Sequence, residues 1–168
     1  MKLLIKVNLR VNNYMSSVDK QIIKNEKKLK INNIKLKKFK KPLVCLTAYT
    51  TPMSEILDKY CDIILVGDSL GMVLHGMKST REVSLEMMIM HGKAVRRGVK
   101  NSLLVVDMPI GTYEKNPKTA LKNATKILKE TNCDAVKVEG GMKLYKTIKY
   151  LVDNNIPVMG HVDCCRKV

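Results

Sequence analysis

Tryptophan is absent from the 168 residues and phenylalanine occurs once, so a core must be built from Ile, Leu, Val and Met. Hydrophobic residues still make up 45% of the chain, enough for one domain. No stretch approaches the roughly 20 consecutive apolar residues of a membrane span, so no membrane association is expected. Met1-Lys2-Leu3-Leu4-Ile5-Lys6 begins like a leader, but Lys6 interrupts the apolar patch and no small-residue cleavage site follows. No Cys-x-x-Cys pair occurs, and the cysteines (Cys45, Cys61, Cys133, Cys164 and Cys165) are odd in number. That pattern excludes a disulfide framework or zinc site and points to a reducing, cytoplasmic setting. Cys45, Cys61 and Cys133 are expected to be buried as small hydrophobes. No Gly-x-Gly-x-x-Gly follows an apolar run, which counts against a dinucleotide fold.

Acidic residues are scarce, and the imbalance is local. The net charge is +16, and residues 1–42 hold 13 Lys and Arg against only Asp19 and Glu26. Residues 1–40 read as a basic N-terminal extension, partly helical or disordered, with a helix around Ser17–Leu29. A basic arm can bind nucleic acid. No aromatic interleaving or RNA-binding motif accompanies this one, so a solvated tail is expected instead.

From Pro42 onward, short apolar runs alternate with amphipathic stretches. Strands are expected at Leu43–Thr47, Ile63–Val66, Leu103–Val106 and Ala135–Val138, with a fifth beginning at Pro157. Helices are expected at Thr51–Tyr60, Ser84–Arg97, Asn116–Lys129 and Gly141–Asp153. Ser84 and Asn116 serve as N-caps, Pro52 and Pro117 fall in first turns, and Gly98 lies just past a helix end. Strands apolar throughout and separated by helices imply a parallel sheet, either doubly wound or a (β/α)8 barrel.

Polar residues recur where the strands end: Asp68-Ser69, Asp107, Lys137 with Glu139, and His161. Active sites of parallel barrels lie at this rim. Asp68, Asp107 and Glu139 would be three carboxylates converging on one point, which is costly unless a cation joins them. Oxygen donors of this kind suit Mg²⁺. Lys137 precedes Glu139 by two residues on the same strand face, placed to hold an anionic group or to pair with Asp107 or Glu139. His161 either faces the pocket or is a satisfied structural histidine.

The ordered motifs Leu46-Thr47-Ala48-Tyr49, Val66-Gly67-Asp68-Ser69-Leu70-Gly71-Met72, His91 through Gly98, Asp107-Met108-Pro109, Val136–Gly141 and Pro157–Val162 resemble ketopantoate hydroxymethyltransferases. The likeness runs from about Lys41 to Val162. It implies an α/β fold, an incomplete (β/α)8 TIM barrel comprising four βα units and the start of strand five. It implies Mg²⁺ on Asp68 and Asp107 with Glu139 in or near its shell. It also implies contacts from Asp68, Ser69, Asp107 and Lys137 to a 2-oxo acid, 3-methyl-2-oxobutanoate. The co-substrate would be 5,10-methylenetetrahydrofolate, the product 2-dehydropantoate, and the assembly a homo-oligomer, a decamer in the family.

Two departures stand out. Thr50 replaces the Asp usual after Ala-Tyr in the family. Residues 163–168, Asp163-Cys164-Cys165-Arg166-Lys167-Val168, do not follow the expected Gly-Leu-rich continuation and read as an aberrant tail, as a shifted reading frame would produce. The family's general base, a Glu, is expected beyond this segment, so no catalytic residue is assigned and little turnover is expected from this polypeptide alone. Glu114 and Glu130 are poor substitutes for it. Rival readings are an inactive remnant or partner-binding fragment, and another Mg²⁺-dependent 2-oxo-acid barrel of the phosphoenolpyruvate mutase and isocitrate lyase type. The latter would need a Lys-Lys-Cys-Gly-His loop, which is absent.

Overall fold

Helices begin where a side chain can satisfy the first free backbone N–H groups. Ser84 Oγ accepts from Met87 N at 3.2 Å, and Asn116 Oδ1 accepts from Thr119 N at 2.8 Å. The computed structural model describes residues 4–6, 31, 34 and 42–161. Its elements are β1 (Leu4–Lys6), β2 (Cys45–Thr47), α1 (Thr51–Leu57), β3 (Ile63–Val66), α2 (Leu70–His75), α3 (Leu85–Gly98), β4 (Leu103–Asp107), α4 (Pro117–Thr131), β5 (Ala135–Glu139), α5 (Tyr145–Asp153) and β6 (Val158–His161). Short 3-10 turns at Thr80–Glu82 and Gly141–Leu144 precede α3 and α5.

The sheet has the order β1-β6-β5-β4-β3-β2. Strands β2 to β6 are parallel and lie in chain order. A doubly wound sheet reverses its order at a switch point, whereas a barrel adds each strand beside the last. Strand alternation then sorts the residues onto two faces. Ile64, Val66, Leu104, Val106, Val136, Val138 and Val158 pack against Met88, Ile89 and Val95 of α3, Ala120, Ala124 and Ile127 of α4, and Leu151 of α5. The opposite face carries Ile63, Leu103, Val105, Ala135 and Met159, closed by the helical residues Ile31 and Ile34. Helices α3 to α5 thus cover one face of the sheet, as in part of a barrel wall. Each such side chain contributes about 1.5–3 kcal/mol on burial, so the absence of Trp costs this core little.

Several expectations change. Among the described residues before Pro42, Ile31 and Ile34 are buried in the core and β1 belongs to the sheet. A partial barrel wall of β2 to β6 alone would leave an unpaired edge on each of its outer strands. Instead β1 pairs antiparallel with β6, Ile5 standing opposite Met159. The edge strands among those described are therefore β1 and β2, and all three residues of β2 are exposed. Cys45 is therefore exposed and Cys61 half-buried; only Cys133 is buried as expected. The proposed helix at Ser17–Leu29 and the tail at 163–168 lie outside the described residues. Helix α2 and the Thr80–Glu82 turn were not foreseen, although Ser79-x-x-Glu82 forms a capping box legible in sequence. No described helix is long and apolar enough to cross a membrane.

Gly98 is the last helical residue rather than a cap beyond the end. Its constraint is steric: a Cβ there would run into Ser54 Oγ and Thr51 O of α1. That close approach lets Thr51 Oγ1 donate to Ala94 O at 2.7 Å and Ser54 Oγ to Val95 O at 3.1 Å. Two carbonyls near the end of α3 thereby gain partners. Across the sheet's lower edge, the Asp58 carboxylate accepts from the backbone N–H groups of Lys100, Asn101 and Ser102 at 2.8–3.0 Å. Those bonds outweigh its burial and hold its pKa below the usual carboxylate range.

Candidate functional site

The register places side chains on the inner face in rows. Asp107 of β4 stands beside Lys137 of β5, and Glu139 of β5 beside His161 of β6. These positions lie at the C-terminal ends of their strands, where the βα loops leave the sheet. Lys137 Nζ donates to Asp107 Oδ1 at 2.8 Å and to Glu139 Oε1 at 2.7 Å. His161 Nδ1 lies 3.1 Å from the same Glu139 oxygen. The other oxygen of Asp107, Oδ2, accepts from the backbone N–H of Asp68 at 3.3 Å. The loop after β4 returns Tyr113 to the site, where its hydroxyl accepts from Glu139 N at 3.4 Å. Gly140 and Gly141, with φ of 137° and 53°, turn the chain away immediately after Glu139, a path that side-chain-bearing residues rarely take.

Burial sets the electrostatics. Asp68, Asp107 and Lys137 are all buried, Asp107 with 3% of its surface exposed. Burial pushes the Asp107 carboxyl above its usual range, and the neighbouring Asp68 charge acts in the same direction, while Lys137 opposes both. For Lys137 burial acts to lower the pKa, but the charges and hydrogen bonds of Asp107 and Glu139 outweigh it and raise the value. The ammonium therefore stays charged at neutral pH. Burial, reinforced by the charge of Glu114, raises the pKa of the Tyr113 phenol, which remains protonated.

The sequence placed Asp68, Asp107, Lys137, Glu139 and His161 on one rim, and the structure brings them together. It changes how the carboxylates are arranged. Lys137 stands between Asp107 and Glu139, and among the described residues no three His, Cys, Asp or Glu side chains form a group that could hold a metal. Three carboxylates against one ammonium still leave two negative charges, His161 aside. Asp68 and Asp107 are carboxylates that could supply oxygen donors to a hard divalent cation, which commonly takes one or two and completes its shell with water and substrate oxygens, with Lys137 already on one Asp107 oxygen. Glu139 is engaged by Lys137 and His161.

Sequence reasoning assigned no role to Tyr49 or Gly67. Tyr49 follows β2, and its hydroxyl lies 2.9 Å from Ser69 Oγ. His91 Nδ1 lies 2.9 Å from Tyr49 O, and His91 Nε2 lies 3.1 Å from His75 Nε2. A Cβ on Gly67 would sit 3.1 Å from Ser69 Oγ and 3.7 Å from Asp107 Oδ2, so this glycine keeps space between the two. Tyr49 was visible within a motif, but its partner, 20 residues away, was not. The candidate base substitutes are engaged elsewhere: Glu114 accepts from Gly111 N at 2.8 Å, and Glu130 pairs with Lys93 at 2.7 Å.

Comparison with known proteins bears on the family. The family model for ketopantoate hydroxymethyltransferase matches residues 28–165. A 3-methyl-2-oxobutanoate hydroxymethyltransferase of Chelativorans sp. (strain BNC1) is 58% identical over 125 residues, covering 74% of this chain and 44% of that protein. That of Rhizobium etli is 56% identical over 140 residues, covering 83% and 51%. The chain spans about half the length of the curated relatives it matches. Among solved structures, 2,3-dimethylmalate lyase, a phosphoenolpyruvate mutase/isocitrate lyase superfamily member, superposes with a TM-score of 0.56 at 12% identity, covering 74% of this chain and 48% of the lyase. At that identity the likeness concerns the fold alone. The family model spans most of the chain and the relatives agree with it: the chain belongs to the ketopantoate hydroxymethyltransferase family.

Proposed function

We propose that these residues form the cation- and oxo-acid-binding part of an enzyme that transfers a hydroxymethyl group from 5,10-methylenetetrahydrofolate to 3-methyl-2-oxobutanoate, giving 2-dehydropantoate. The observation that carries this reading is the array of buried Asp107 and Lys137 with half-buried Glu139, beside Asp68 at the strand ends. Asp68 and Asp107 would hold Mg²⁺. Bound there, the ion would supply Lewis acidity toward the keto oxygen and offset the charge of an enolate. Lys137, kept protonated by its two partners, would face the carboxylate end of the oxo acid, with the Ser69 hydroxyl beside it. The folate donor follows from the family reading.

Charge balance gives the reading a consequence. Without a cation the site carries excess negative charge and repels an anionic oxo acid. Among the described residues no further rim carboxylate is placed to take the C3 proton, since Glu114 and Glu130 are engaged elsewhere. We therefore assign binding and polarisation to this chain and assign the general base to none of the described residues. Isothermal titration of 3-methyl-2-oxobutanoate tests the reading. Binding is expected with Mg²⁺, and at least tenfold weaker affinity is expected with EDTA or in Asp107→Asn. Equal affinity under all three conditions refutes it.

A further inference from the structure

Ser69 occupies the N-cap position of α2, where a serine hydroxyl ordinarily accepts from a backbone N–H of the first turn. It makes no such bond here. Its backbone is αR, with φ −55° and ψ −16°, and its carbonyl accepts from Met72 N and Val73 N. The hydroxyl points instead to Tyr49, 2.9 Å from the phenol oxygen. Gly67 leaves room beside it, in the direction of Asp107 Oδ2.

From this geometry we infer that Tyr49 is a positioning residue for the oxo acid, acting through Ser69. The inference rests on the function proposed above. A phenol is a stronger hydrogen-bond donor than an aliphatic hydroxyl. Tyr49 therefore donates to Ser69 Oγ, which leaves the serine's own proton to point elsewhere. That proton suits an anionic acceptor, a carboxylate or enolate oxygen of a 2-oxo acid. Tyr49 can do this because it is fixed at both ends. Its ring is buried in the core, with 6% of its surface exposed. Its carbonyl lies 2.9 Å from His91 Nδ1 on α3, and the backbone N–H of Ala48 before it donates to Leu65 O at 3.0 Å. Tyr49 itself need not touch the ligand.

A double-mutant cycle on the full 168-residue chain tests this, with titration of 3-methyl-2-oxobutanoate in the presence of Mg²⁺. Tyr49→Phe is expected to weaken binding about three- to tenfold, the range of one hydrogen bond's net contribution. In a Ser69→Ala background the same change is expected to alter affinity less than about 1.5-fold, because Tyr49 then has nothing to orient. A purely structural role would weaken binding equally in both backgrounds, and that result overturns the inference, as does parental affinity in Tyr49→Phe. Replacement of Tyr49 by 3-fluorotyrosine keeps the ring and strengthens the donor. It is expected to bind at least as tightly as the parent, and weaker binding also overturns the inference. A parent chain that binds no oxo acid sinks the proposed function and this inference together, whereas a parent that binds with an additive cycle sinks only the inference.

Discussion

Replacing Lys137 with Met shortens the side chain by one atom and removes its charge from between two carboxylates. The ammonium stands 2.8 Å from Asp107 and 2.7 Å from Glu139, with 5% and 18% of those side chains exposed. At an effective dielectric constant near 20, each contact represents roughly 6 kcal/mol of gross attraction. Desolvation of the charges offsets much of this, so the intact array adds little net stability. Removing one member is a different matter. Asp107 would remain buried beside Asp68 with no opposing charge, a change that typically costs about 3–5 kcal/mol. Protonation limits the loss. Asp107 already has a raised pKa through burial, and without Lys137 it rises further. A carboxyl whose folded-state pKa is raised favours folding at pH below its unfolded value and loses that contribution as pH rises through the folded value. The deficit of Lys137→Met is therefore expected to be largest near pH 8 and to shrink towards pH 5. Urea denaturation followed by circular dichroism at both values measures it. A deficit below about 1 kcal/mol at pH 8, or one equal at both pH values, refutes the account of Lys137 as the neutralising partner of a buried, charged Asp107.

Two further outcomes are expected. Asp58→Asn removes the carboxylate that accepts from Lys100, Asn101 and Ser102, and should cost about 2–3 kcal/mol in urea denaturation at pH 7. Because its pKa is lowered in the folded state, that contribution is present above about pH 4 and is lost as pH falls further, so parent and variant should converge in acid. Deleting residues 1–6 uncovers the backbone of β6 that β1 pairs, and unpaired edges recruit other strands. Size-exclusion chromatography with light scattering should show greater concentration-dependent association than in the parent; identical profiles would mean that β1 does not guard the edge.

The strands and longer helices were legible because their signals are local. Ser84 and Asn116 cap as their chemistry dictates, and the runs Ile63–Val66 and Leu103–Val106 are apolar throughout because they are covered on both faces. The short α2 escaped notice because its exposed Met72, Val73 and Leu74 show no amphipathic period. Strand β1 was hidden for another reason: nothing within three residues specifies which distant strand will pair with them.

The candidate site divides in the same way. Alternation along β4, β5 and β6 puts Asp107, Lys137, Glu139 and His161 on one face, and strand order puts them at one rim, so their gathering followed from sequence. How they share charge did not. Lys137 lies between Asp107 and Glu139 because parallel register sets Asp107 beside Lys137 and leaves Glu139 one side-chain step further along the same strand. Ser69 stands at the start of α2 in the cap position, but its hydroxyl meets Tyr49, which arrives from the neighbouring strand end. Local patterns choose elements and faces, but which polar atoms meet depends on register and rotamers across residues 20 to 40 positions apart, and that is decided only when the sheet is assembled.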